Sequence, residues 1–120
     1  MLYSIDSDDP INSIPHSKDY HRWRNRLTDA EYQEILDEIN HRISQNEVVT
    51  SSWVPGSDWT GTPFEPIYTK ACLNDEEQSG LCFGLFFFAA MMERPDDWLF
   101  KRSDVNEIPI RGLTYFRIHR

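Results

Sequence analysis

At 120 residues, 39% hydrophobic and 27% charged, with five Gly and seven Pro, the chain reads as one soluble domain. A domain of this size buries roughly 65% of the surface its unfolded chain exposes, enough for a core without metal or disulfide staples. Its net charge of −8 repels a phosphate backbone and argues against nucleic acid as a general partner.

Residues 1–15 mix turn formers with isolated isoleucines and predict an irregular N-terminal arm, docked on the body or on a neighbouring subunit. The start, Met1-Leu2-Tyr3-Ser4-Ile5-Asp6, has neither the basic nor the apolar region of a signal peptide. A basic island follows, Lys18-Asp19-Tyr20-His21-Arg22-Trp23-Arg24-Asn25-Arg26. Its interleaved aromatics suit base stacking, and equally suit an arginine face paired with the protein's own acids.

Thr28-Asp29-Ala30-Glu31 is a capping box, and Leu27 with Tyr32 fits a hydrophobic staple across it. Apolar residues at Tyr32, Ile35, Leu36, Ile39 and Ile43 then mark one helical face, predicting a helix over about 28–45. Glu38 and Arg42 form an i,i+4 pair on it. Residues 47–54 have strand composition. Beyond them, Pro55 to Pro66 carries three prolines and two glycines and excludes regular structure. A short helical turn is expected over 67–73.

Asn74 caps the second expected helix, over about 75–94, with Asp75, Glu76 and Glu77 against its dipole. Its run Leu81 to Met92 is 12 residues long, short of the roughly 20 that a membrane span needs. Because it is apolar all round, periodicity alone leaves a buried strand open for part of it. Arg94-Pro95 ends it. Residues 98–102 and 113–119 are rich in aromatic and branched side chains and predict two further strands. The expectation is an α+β domain, two main helices packed on a small antiparallel sheet of 47–54, 98–102 and 113–119.

Charge is uneven along the chain. Residues 51–100 carry a local balance of −6 and the last twenty a balance of +3. The acid excess is a reason to expect a protein partner of the antitoxin, immunity or regulatory kind.

No motif carries a reaction. Glu38 and Asp37 lie at ligand spacing from His41, but di-iron sites need two such helices, so no metal or other cofactor is expected. Cys72 and Cys82 lack metal spacing and a neighbouring His; they read as free thiols of a reducing cytoplasm, Cys82 as a small core residue and Cys72 slightly activated beside Lys70. The most informative stretch holds Trp53, Trp59, Phe64 and Tyr68 beside Asp58, Thr60 and Glu65. Aromatic walls with a few polar groups on a proline-stiffened loop make a small-molecule or peptide pocket. The same residues also suit a rigid loop lidding the core, and Asp58 with Glu65 could serve a hydrolase-like enzyme as an acid/base pair only if one were buried.

Trp53-Val54-Pro55-Gly56-Ser57-Asp58-Trp59-Thr60-Gly61-Thr62-Pro63-Phe64, then Pro66-Ile67-Tyr68, Phe83-Gly84-Leu85 and Met92-Glu93-Arg94-Pro95, resembles small uncharacterised bacterial proteins encoded on mobile integron gene cassettes. The resemblance covers roughly residues 28–118. It implies a bacterial, cytoplasmic homo-oligomer with a ligand pocket, and it assigns no catalytic residue.

Overall fold

The computed structural model describes residues 1–4, 11, 13–50, 61–101 and 114–118. Their order is β1 (Leu2–Ser4), α1 (Ser17–Arg24), α2 (Asp29–Ser44), β2 (Val48–Thr50), a π-helical turn (Ile67–Ala71), α3 (Glu76–Glu93), β3 (Asp97–Lys101) and β4 (Thr114–Ile118). The domain is α+β, with helices packed on one four-stranded sheet of order β1-β3-β4-β2.

The capping box at the start of α2 is made in full: the Glu31 N–H donates to Thr28 Oγ1 (3.1 Å) and the Thr28 N–H donates to Glu31 Oε1 (2.9 Å). All five residues of the expected face, Tyr32, Ile35, Leu36, Ile39 and Ile43, are buried. Arg42 Nε lies 3.1 Å from Glu38 Oε1, as the spacing predicts. In α3 the cap is Asp75, whose Oδ1 accepts from the Gln78 N–H (3.0 Å), rather than Asn74. Asn74 takes a left-handed φ of 65° and turns the chain into the helix instead. Residues 82–91 of α3, Gly84 included, are buried without exception, so the apolar run is a central helix and not a strand.

Helices α1 and α2 and the π-helical turn pack against α3, and rings from α3 reach the sheet. Phe87 stacks on Tyr115 (centroids 5.2 Å apart), and Phe88 meets Phe100 edge-on (5.5 Å). The pairs β3–β4 and β2–β4 are antiparallel, as expected. The arm departs from expectation. Its residues 2–4 form a strand parallel to β3, which makes the sheet mixed, and they lie on the chain's own body. Leu2 is fully buried and its carbonyl accepts from the Ile11 N–H at 2.8 Å. A three-residue strand held by non-local pairing leaves no periodicity to read. The expected strand residues 51–54, 102, 113 and 119 lie outside the described residues.

Helix α1 was not among the expected elements. It buries only Trp23 and starts at His16 (φ 53°) without a side-chain cap, so neither signal of a helix is present in its sequence. Three arginines of the basic stretch are tied to the chain itself. Arg22 pairs with Asp19 (3.0 Å) and Arg24 with Asp29 (2.6 Å), while Arg26 donates to the Ala71 carbonyl (2.6 Å).

A polar clamp closes the end of α3. Arg94 grips both carboxylate oxygens of Asp96 at 2.9 Å and donates to Asn40 Oδ1 (3.0 Å) and Ser44 Oγ (3.3 Å) on α2. Burial works to raise the Asp96 pKa, but the Arg94 guanidinium, aided by Arg117, outweighs it and holds the carboxyl below its ordinary range. A depressed folded-state pKa means the contribution is whole above the unfolded value of about 4 and fades as pH falls through the folded one. Asp96→Asn should therefore cost about 1.5–3 kcal/mol at pH 7, the range for a hydrogen bond to a charged group. Urea titrations across pH should show that gap from the parent closing below about pH 4.

Candidate functional site

Of the residues expected to line a pocket, Trp53, Asp58, Trp59 and Thr60 lie outside the described residues. The other three are placed. Phe64 is fully buried, edge-on to Phe83 (5.1 Å), with the Arg42 guanidinium 5.2 Å from its ring centre. It serves the core and offers no ring face to a ligand from solvent. Glu65 is partly exposed, and its Oε2 accepts from the Gly61 N–H (2.9 Å), closing a local turn around a glycine at φ 75°. Tyr68 is half-buried against the core cluster. These three anchor the end of the aromatic segment. A surface depression of about 260 Å³ lies elsewhere, lined by Asn40, Ala90, Glu93, Arg94 and Pro95.

The metal-spaced residues of α2 are engaged locally. Asp37 accepts from Gln33 (2.9 Å), Glu38 binds Arg42, and His41 contacts Gln45 (3.2 Å). Among the described residues no three His, Cys, Asp or Glu side chains gather at a metal-binding distance. No helix among them is long and apolar enough to cross a membrane.

Two features that sequence reasoning missed stand out. The first is the sheet face turned away from α3. Register places Tyr3 beside Leu99, Leu99 beside Phe116 and Phe116 beside Val48, one apolar row across all four strands. Their neighbours Leu2, Trp98, Phe100, Tyr115 and Val49 point the other way into the core, as a strand's period of two requires. Val48 is 55% exposed, and Tyr3, Leu99 and Phe116 are partly exposed. Each strand contributes a single residue to the row, so only the pairing reveals it.

The second is the junction between the π-helical turn and α3. The Cys72 N–H donates to the Ile67 carbonyl (3.0 Å), the Asn74 N–H to the Tyr68 carbonyl (2.7 Å) and the Asp75 N–H to the Cys72 carbonyl (3.0 Å). This winding forces Leu73 and Asn74 into consecutive left-handed conformations, φ 52° and 65°. Asn tolerates that region; a leucine there costs on the order of 1–2 kcal/mol. Leu73 is also 67% exposed, so burial does not offset the strain. Glu31 ties the turn to α2 by accepting from Lys70 Nζ, an interaction that leads the causes holding its carboxyl below the ordinary range.

Cys72, which closes the π-helical turn, and Cys82 of α3 are both buried free cysteines. The Cys72 thiol is held below its ordinary pKa, chiefly by the influence of the Cys82 thiol. Burial and the Asp75 charge oppose it, while the Ser79 hydroxyl and the Arg26 charge assist. Cys82 is pushed the other way, first by burial and then by its partner. The reading of Cys82 as a core residue fits its burial.

No protein-family model, curated protein or solved structure matches the chain.

Two substitutions probe the strain and the core. Leu73→Gly should raise stability by about 0.5–1 kcal/mol, since glycine adopts a positive φ freely and loses some of the gain to unfolded-state entropy. Tyr115 is fully buried with no hydrogen-bond partner for its hydroxyl. Tyr115→Phe should be neutral or stabilising by up to about 1 kcal/mol, because it removes a polar group already stripped of water. Thermal melts of each variant beside the parent check both.

Proposed function

We propose that this protein is a recognition module for a short amphipathic peptide segment of basic character, held on the sheet face opposite α3. The single observation that carries this reading is the row Tyr3, Leu99, Phe116 and Val48, apolar and partly open to solvent. Contiguous apolar surface on a small domain marks a place where something binds.

Area chooses the occupant. Strands about 4.8 Å apart and rising about 3.3 Å per residue give this face only a few hundred Å². A stable protein dimer buries about 800 Å² on each side, so the face suits a peptide better than a second folded copy. Charge supports a basic partner, since the chain carries −8 in all. An acidic surface raises the encounter rate with a cationic segment. Self-association and a bacterial cytoplasmic setting belong to the same proposal and rest on the cassette resemblance.

A second reading is a small-molecule pocket on residues 53–68. It is favoured by the rooting of Phe64 in the core, which gives the segment a fixed base.

The two readings separate experimentally. For the first, a fluorescent basic amphipathic helical peptide titrated with the protein should bind, and Phe116→Glu should weaken it at least about tenfold, or about 1.4 kcal/mol. Equal affinity in the variant would contradict the sheet-face site. For the second, a thermal-shift screen of small molecules should find stabilisers whose effect vanishes in Trp59→Ala. Stabilisation that survives the substitution would place the ligand elsewhere.

A further inference from the structure

We propose that the depression at the C-terminal end of α3, lined by Asn40, Ala90, Glu93, Arg94 and Pro95, is a binding site for a small organic cation of the primary alkylammonium class. This goes beyond peptide recognition on the sheet face and does not depend on it.

Size supplies the first argument. The depression holds about 260 Å³. Liquid water takes about 30 Å³ per molecule, which leaves room for an ammonium group on a stem of about four carbons. A bare divalent metal ion suits the lining less well, because it calls for about six oxygen ligands. The lining brings the carboxylate of Glu93 and the amide of Asn40.

The sign of the charge is the second. Arg94 is fully committed: Nε and Nη2 donate to the two Asp96 oxygens at 2.9 Å, Nη2 also to Ser44 Oγ, and Nη1 to the Asn40 carbonyl and Oδ1. All five of its N–H donors have acceptors, and Asp96 matches its charge. An anion entering the depression meets no free guanidinium donor. Glu93 is the reverse case. It is exposed, and its carboxylate makes no ion pair or hydrogen bond among the described residues. The uncommitted charge of the lining is negative.

Backbone polarity is the third. Helix α3 ends at Glu93, with Arg94 already extended at ψ 143° and Pro95, which has no N–H, following it. The last turn of a helix leaves carbonyls without intrahelical donors and carries the negative end of the helix dipole. Helices α1 and α2 place basic side chains in their last turns, and α3 has none. Its end already receives one ammonium, that of Met1, which donates to the Arg94 carbonyl (2.8 Å) and pairs with Asp97 (3.7 Å). Glu93 is left unmatched.

An alkylammonium answers each of these features. Its N–H donors and positive charge suit the Glu93 carboxylate and the helix end, and its stem suits the apolar surfaces of Ala90 and Pro95. The resulting ion pair is open to water, so binding is weak and screened by salt. A free diamine and a lysine side chain share this chemistry, and the test separates them.

The test titrates the full, isotope-labelled chain with putrescine and, separately, with N-acetyl-lysine methylamide, at constant ionic strength and read by amide NMR shifts. The proposal expects saturable shifts of the Ala90, Glu93 and Arg94 backbone amides and of the Asn40 side-chain amide. Binding of putrescine alone marks a free amine as the source; binding of both extends the site to a lysine side chain. Sodium butyrate should leave those amides unmoved. Glu93→Gln, at an exposed position, should weaken binding by at least about threefold, and Glu93→Lys, which brings its own cation, should abolish it. Glu34→Gln, an exposed acid on α2, should change nothing. Absence of saturable shifts with both amines would overturn the proposal. So would shifts spread over the acidic surface, an equal response to butyrate, or unchanged affinity in Glu93→Gln.

Discussion

Everything in this fold follows from one helix that has no polar side. From Cys82 to Met91, α3 is buried at every position, four phenylalanines included. Burying each large apolar side chain is worth about 1.5–3 kcal/mol, and a helix apolar all round cannot sit at a surface. The sheet covers it on one side, through Phe87 on Tyr115 and Phe88 on Phe100. Helices α1 and α2 and the π-helical turn cover the rest. Even the first strand serves this end, since Leu2 is fully buried beside Trp98.

That demand decides where chemistry and recognition can occur. The helices are committed to enclosing α3, which leaves the far side of the sheet without a helix ring stacked on it among the described residues. Its apolar row carries the recognition proposal. The same packing accompanies a tight, strained turn before α3, with Leu73 and Asn74 both left-handed. The polar clamp of Arg94 and Asp96 fixes the far end of α3 to α2.

How much of this was legible in the sequence depended on range. Helix α2 announced itself through Thr28, Glu31 and five apolar residues at helical spacing, all of it local. Helix α3 was legible from its length and an acidic start, although the cap lies at Asp75 and not Asn74. The strands at Asp97–Lys101 and Thr114–Ile118 followed from aromatic and branched composition. What escaped was non-local. Leu2–Ser4 pairs with a strand more than ninety residues away. The row from Tyr3 to Val48 exists only once four strands are in register. Phe64 shows the limit from the other direction: aromatic character marks a pocket wall and a core anchor alike, and only its complete burial separates them.

The claim at the centre, that α3 is the last element to lose its structure, is open to native-state hydrogen exchange. Amides of residues 82–91 should be the slowest in the chain and should exchange only through global unfolding, with one common opening free energy. Exchange of those amides as fast as the amides of α1, or at several lower free energies, would show that α3 is not the enclosed core on which this account rests.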